Sequence, residues 1–261
     1  MKFIMVIIPA FIVLLASIIY TQQEFLLFRP YPLAANYTYS FPFEFEELNW
    51  EVEPGIKINA LHFKTKDAKG VVLYFHGNGG NLAGWGGIAD DFLNRKQNLI
   101  IIDYRGYGKS TGTIKSEDDL IKDALYAYEY AKSIYPENQI TLYGRSLGSG
   151  LAVYLAKDKN PKRLILETPY NNLSDIASYH YPYIPTFLLK YKLDSESMIG
   201  SVKCPIYIFH GTEDAVIPLA YARKLESKIK RDYKFFQITN AGHNDVSETK
   251  EYFMELTKIF W

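Results

Sequence analysis

Apolar residues along this chain fall into two kinds of pattern. Phe3 to Tyr20 is an almost unbroken apolar run, interrupted by Pro9 and Ser17. As a helix it spans about 27 Å, close to the hydrocarbon thickness of a bilayer. Lys2 precedes the run and Arg29 is the only cation soon after it. This small bias predicts an amino terminus in the cytoplasm and a body on the far side. A cleaved signal peptide is the rival reading, but bulky Ile18, Ile19 and Tyr20 offer no small-residue cleavage site. A buried helix of the body is the third reading. Residues 1–21 are thus expected to be a membrane anchor and 22–261 a single catalytic domain. The aromatic, proline-bearing stretch from Gln22 to Ser40 reads as an extended connection, its rings packing on the domain or sitting at the membrane interface.

Beyond it, short apolar runs of strand length alternate with segments of helical period. Ile56–Phe63, Val71–Phe75, Leu99–Ile102, Ile140–Tyr143, Arg163–Leu166, Ile206–Phe209 and Tyr233–Ile238 read as strands. Helices are predicted over Trp85–Arg95, Glu117–Ser133, Leu147–Lys157, Leu219–Lys230 and Glu248–Phe260. Ser116 is a natural cap for the second of these, with Asp118 and Asp119 in its first turn. Leu120, Ala124, Leu125, Tyr128 and Ala131 give that helix one buried face. The alternation predicts an α/β fold: a mostly parallel central sheet with helices on both faces and ligands beyond the carboxyl ends of the strands. Between residues 168 and 202 the alternation stops. Pro169, Pro182 and Pro185 with Tyr170, Tyr179, Tyr181, Tyr183 and Phe187 suit either a small aromatic lid or a packed surface excursion.

Composition removes several classes of function. Twenty-nine basic residues balance 29 acidic ones, so no broad field favours nucleic acid. A lone cysteine, Cys204, excludes an internal disulfide and a cysteine-built zinc site.

The chemistry gathers at strand ends. Gly144-Arg145-Ser146-Leu147-Gly148 follows one strand and opens a helix, which sets a serine on a sharp turn with its hydroxyl clear of the sheet. Asp214 comes just past a later strand and His243 just past the next. His243 suits the role of base for Ser146, with Asp214 fixing its tautomer. His76-Gly77-Asn78-Gly79-Gly80-Asn81 follows Val71–Phe75 and lets backbone amides approach a ligand. The amides of Asn78 and Leu147 are the expected oxyanion donors, with Gly79 in reserve for the former. No Lys-Ser/Thr pair follows this loop, as a phosphate-binding loop requires. Glu167 is the rival to Asp214. Asp103 reads as a turn organiser and Asp245 as a brace for its own loop, while His62, His76, His180 and His210 read as structural.

With Asp103-Tyr104-Arg105-Gly106-Tyr107-Gly108 added, these motifs resemble the α/β-hydrolases, which share the order Ser, Asp, His. They are most similar to the small membrane-anchored branch named for the yeast bud-emergence protein. That branch is related to animal hydrolase-domain proteins that include depalmitoylases. Phe28-Arg29-Pro30 is similar to an aromatic-x-proline signal of the branch, whereas Gly79 stands where it often has alanine. The expectation is a serine hydrolase of esters or thioesters, with an acyl or small-molecule substrate, working through an acyl-enzyme and needing no metal or organic cofactor. A peptidase or amidase using the same three residues is the alternative, and a non-catalytic binding protein on the same scaffold is the rival from another class.

Overall fold

The computed structural model describes the backbone from Lys2 to Trp261 and the side chains from Leu14 onward, Leu26 excepted. In chain order the elements are α1 (Lys2–Leu27), β1 (Phe45–Glu53), β2 (Ile56–Phe63), β3 (Val71–Phe75), α2 (Leu82–Trp85), α3 (Ala89–Leu93), β4 (Asn98–Ile102), α4 (Glu117–Ile134), β5 (Ile140–Arg145) and α5 (Leu147–Asp158). There follow β6 (Arg163–Glu167), α6 (Leu173–His180), α7 (Ser195–Met198), β7 (Ile206–Gly211), α8 (Leu219–Glu226), β8 (Tyr233–Ile238) and α9 (Lys250–Phe260). Among the described residues the strands make one eight-stranded sheet in the order β1-β2-β4-β3-β5-β6-β7-β8. β2 runs antiparallel to β1 and β4, and every other pairing is parallel.

The period of two along each strand divides the core between the two faces of the sheet. Val71, Leu73 and Phe75 of β3 join Leu142 of β5 and the buried faces of α4 and α5 on one side. Val72 and Tyr74 join Tyr143, Phe92 of α3, and Tyr252 and Leu256 of α9 on the other. Such strands, buried on both faces, read as continuous apolar runs.

Several expectations are corrected in detail. β1 was not anticipated: its sequence, Phe-Glu-Glu-Leu-Asn-Trp-Glu-Val-Glu, is largely polar because it is an edge strand, and only Trp50 is fully buried. The helix expected over Trp85–Arg95 is split into α2, a 3₁₀ turn at Gly86–Ile88, and α3. Gly86 sits so close to the Phe41 ring that a Cβ could not fit, and paired glycines weaken a helix. α1 continues to Leu27 instead of giving way to extended chain at Gln22, since no breaker stands between Gln22 and Pro30 and Gln23 is bonded to residues 188 and 190. Among the described residues no helix is long and apolar enough to cross a membrane. The anchor expected over residues 1–21 falls largely on side chains outside the described ones, so it finds no support here. The 168–202 excursion holds α6, α7 and short 3₁₀ turns between β6 and β7.

The start of α4 follows expectation closely. Ser116 Oγ accepts from the Asp119 amide at 3.2 Å, and the Asp119 carboxylate accepts from the Ser116 amide at 3.0 Å. This reciprocal cap satisfies two otherwise orphaned donors. Ser116→Ala is expected to lower stability by about 1 kcal/mol, read as a shift in the urea midpoint at constant slope.

Candidate active site

The site begins with a backbone constraint. β5 runs directly into α5, and Ser146 at the junction has φ +49° and ψ −116°, a region that side chains with a Cβ rarely occupy. Its amide donates to the Glu167 carbonyl at 2.9 Å, which ties the strained residue to the end of β6. The flanking glycines make the turn possible. A Cβ on Gly144 would lie 2.5 Å from the Gly148 carbonyl oxygen, and one on Gly148 would collide with the carbonyl of Phe75. α5 can therefore start against β3, with the Ser146 hydroxyl lifted off the sheet.

Parallel register then brings the other loops to the same edge. Arg145 pairs with Glu167, Glu167 with Phe209, and Gly211 with Ile238, so β5 to β8 end side by side. Asp214 follows β7 and His243 follows β8. Gly211 lies against the Ala241 and Gly242 carbonyls, where no Cβ would fit, and this lets the two loops close on each other. His243 Nε2 is 2.9 Å from Ser146 Oγ, and His243 Nδ1 is 2.7 Å from Asp214 Oδ2. With the carboxylate accepting from Nδ1–H, Nε2 is left to accept the serine proton. The other Asp214 oxygen accepts from the Val216 and Ile217 amides at 2.9 and 2.7 Å. The Asp214 side chain is fully buried while the imidazole is slightly exposed.

His76-Gly77-Asn78 passes directly over the serine. A Cβ on Gly77 would sit 3.6 Å from that of Ser146. Leu147 is the first residue of α5, so its amide has no partner within the helix. The Asn78 side chain is engaged elsewhere: Nδ2 donates to the Leu27 carbonyl at 2.6 Å, and Oδ1 accepts from the Arg29 amide at 3.0 Å and from Tyr107 OH at 2.9 Å. These bonds fix the loop while leaving its backbone amide beside the pocket. Asn78, Ser146 and Leu147 line one cavity of about 190 Å³ together with Leu27, Phe28, Tyr170, Leu173, Ile176, Ala177, His180, Tyr181, Val216 and Ile217. The Ser146 hydroxyl thus opens onto a mainly apolar chamber.

The rival acids make their bonds elsewhere. Glu167 accepts from Tyr143 OH at 2.7 Å and lies 3.4 Å from Arg145 Nε. Asp103 accepts from the Leu82 amide, and Gly108 packs so tightly on its carboxylate that no Cβ would fit. Burial pushes the Asp103 carboxyl above the usual range. Asp245 braces its own loop by accepting from the Gly242 amide at 2.8 Å. His62 contacts Tyr135 OH and His76 is buried beside Asp103, whereas His210 contacts the Ile217 carbonyl and lies 3.4 Å from Asp214 Oδ2, behind the line. Burial holds the His210 imidazole below its ordinary value. His180 departs from the structural reading by lining the chamber.

Sequence reasoning missed Arg145, which occupies the variable position before the serine. Its guanidinium donates to the Asn244 carbonyl at 3.1 Å and to Ser247 Oγ at 3.3 Å, packs over the Trp85 ring, and faces buried Glu167. Burial alone would ease its proton off, but Glu167 and the surrounding buried tyrosines hold the group charged. Arg145 therefore links the serine turn to the histidine loop. A charged residue inside an otherwise apolar strand end was the available signal. Arg145→Met, which leaves Glu167 without its cation, is expected to cost about 3–5 kcal/mol in urea unfolding. The double change with Glu167→Gln should recover part of that loss.

Comparisons with known proteins agree with the architecture. The family described as serine aminopeptidase, S33, matches residues 66–191. An uncharacterised protein of Mycobacterium tuberculosis is 30% identical over 202 residues, covering 75% of this chain and 71% of that protein. Lysophosphatidylserine lipase ABHD12 of Xenopus tropicalis is 29% identical over 275 residues, covering 86% of this chain and 70% of the lipase. Among solved structures, an esterase of Pyrococcus furiosus superposes with a TM-score of 0.71 at 18% identity, over 90% of this chain and 97% of the esterase. Acetyl xylan esterase 1 of Thermoanaerobacterium sp. gives 0.65 at 17% identity, over 84% and 86%. The strand order, the serine turn between β5 and α5, and these relationships identify the chain as a member of the α/β-hydrolase superfamily.

Proposed function

We propose that the protein is a serine hydrolase that transfers an acyl group from an ester or thioester to water. The reading is carried by the unbroken hydrogen-bonded line Ser146 Oγ–His243 Nε2 and His243 Nδ1–Asp214 Oδ2 at the mouth of an apolar chamber. Ser146 Oγ adds to the substrate carbonyl as His243 Nε2 takes its proton, and Asp214 stabilises the imidazolium that forms. The Leu147 and Asn78 amides donate to the oxyanion. Collapse of the tetrahedral adduct expels the alcohol or thiol, which takes the proton from His243 and leaves Ser146 acylated. Water, deprotonated by His243, then releases the acid and restores the serine. Chain residues supply nucleophile, base and oxyanion donors, so no metal or cofactor enters the cycle.

An amide-cleaving reading draws support from the serine aminopeptidase family match. The chamber argues against it. An aminopeptidase must hold a substrate ammonium, and the described residues lining the chamber include no carboxylate to pair with one. Lipid esters fit better, in keeping with the Xenopus relative, a lysophosphatidylserine lipase by name. The narrower place in the bud-emergence branch rests on the motifs His76-Gly77-Asn78-Gly79-Gly80-Asn81, Asp103-Tyr104-Arg105-Gly106-Tyr107-Gly108, Gly144-Arg145-Ser146-Leu147-Gly148, Gly211-Thr212-Glu213-Asp214 and Gly242-His243-Asn244-Asp245, and on Phe28-Arg29-Pro30. A membrane anchor over residues 1–21, with the catalytic domain (22–261) on the non-cytoplasmic side, rests on the apolar run Phe3–Tyr20. A small lid over 168–202 rests on the positions of Tyr170, Leu173, Ile176, Ala177, His180 and Tyr181 around the chamber.

A fluorophosphonate probe should label the native protein and fail to label Ser146→Ala, with ester turnover falling about 10⁶-fold in that variant. Absence of labelling in the native protein would favour a binding protein. Asp214→Asn should abolish most turnover while Glu167→Gln retains it, as kcat measurements would record. The reverse result would reassign the acid. On a panel of acyl esters and aminoacyl amides, faster turnover of amides would overturn the choice of esters.

A further inference from the structure

A second apolar crevice opens beside the catalytic chamber, between α1 and the excursion that follows β6. It is lined by Ile19, Leu27, Ala177, Ile184, Leu188 and Leu189, with Tyr181 at its edge. Leu27, Ala177 and Tyr181 also line the chamber that contains Ser146, so the two spaces lie side by side and share a wall. From Leu27 back to Ile19 the crevice follows α1 for about 12 Å at 1.5 Å per residue.

Its walls are held apart and in register by polar contacts on one side. Gln23 is buried, and its side chain donates to the Leu188 carbonyl at 3.0 Å and accepts from the Lys190 amide at 2.8 Å. Glu24 accepts from Lys190 Nζ and from Tyr191 OH, each at 2.9 Å. Phe28 packs edge-on against Tyr191 with ring centroids 4.9 Å apart. Burying a glutamine on a helix face is costly unless every bond is made, and here those bonds fasten α1 to residues 188–191. The crevice is therefore a built slot. Tyr183 and Phe187, next in the chain to the lining residues Ile184 and Leu188, are each more than four-fifths exposed. Rings so placed suit the headgroup zone of a bilayer.

We infer that this crevice is the binding site for the hydrocarbon tail of an acyl substrate whose carbonyl lies at Ser146, with the tail running along α1. The inference rests on the proposed hydrolysis and adds to it a tail subsite and a substrate class: single-chain acyl esters taken from a lipid layer. Its shared wall with the chamber commits the slot to this occupant, because a chain that leaves the carbonyl carbon and passes Leu27, Ala177 and Tyr181 enters a second apolar space. At about 50 Å³ the slot has room for one chain, and a second tail would meet the polar contacts of Gln23 and Glu24. Each methylene seated there should raise kcat/KM about fourfold until the slot is full.

The test uses the full chain reconstituted in phosphatidylcholine vesicles, with p-nitrophenyl butyrate and p-nitrophenyl laurate as probes. The native protein should prefer laurate, and Leu189→Trp, which fills the slot away from Ser146, should reduce the laurate-to-butyrate ratio of kcat/KM by at least about tenfold. Ile19→Trp enters the slot from the opposite wall and should act likewise, so the result does not depend on one variant folding. Butyrate turnover reports folding in each variant. A ratio that moves by less than about twofold in both variants, with Ser146→Ala inactive on both esters, would overturn the tail site and leave the hydrolase reading standing. Native protein that cleaves neither ester would instead end the hydrolase reading, and the tail site with it.

Discussion

The organisation of this molecule depends on the turn that joins β5 to α5. A residue at φ +49° is unfavourable, and Ser146 is held there because its amide is bonded to the Glu167 carbonyl and its neighbours are glycines packed against backbone. Strain of this kind costs of order 1–3 kcal/mol and persists only where the surroundings over-determine it. The same turn aims the hydroxyl off the sheet edge, starts a helix whose first amide is free, and brings that amide beside the His76–Asn78 loop. One local constraint thereby fixes the positions of a hydroxyl and one candidate donor.

The remaining parts of the site are placed by the sheet. Parallel strands in matched register end at a common edge, so residues far apart in sequence arrive together once their strands pair. Small residues finish the approach: Gly211 admits the histidine loop, and Gly77 admits the loop over Ser146. Arg145 then spans the gap, bonding the Asn244 carbonyl from the residue preceding the serine. The proposed chemistry needs hydrogen bonds of ordinary length held within a few tenths of an ångström. A rigid sheet edge bridged by a buried cation supplies that tolerance better than free loops would.

The chamber is assembled differently, from pieces outside the sheet. Phe28 and Leu27 come from the end of α1, Tyr170 and α6 from the excursion after β6, and Val216 and Ile217 from the loop carrying Asp214. The Asn78 side chain, bonded to Leu27 and Arg29, connects that outer layer to the loop above the serine. The end of α1 is thus tied by a hydrogen bond to the candidate oxyanion loop. In the proposed reading, chemistry and substrate choice are carried by separable parts of one chain.

The parallel strands and α4, α5 and α9 were legible in the sequence, since strands buried on both faces are continuous apolar runs and amphipathic helices keep their period whatever they pack on. Ser146, Asp214 and His243 were legible for a similar reason: the turn after β5 leaves no choice but glycine at 144 and 148, and strand ends mark where a loop can carry chemistry. Polar β1 escaped notice because an edge strand has no burial pattern to display. The breaks around Gly86 and the extension of α1 to Leu27 escaped it because a distant ring, Phe41, and distant partners at residues 188–191 decide them. Arg145 and the crevice along α1 belong to the same class. Their partners lie about 20 to 170 positions away, and only the folded chain decides which polar and apolar surfaces meet over such separations.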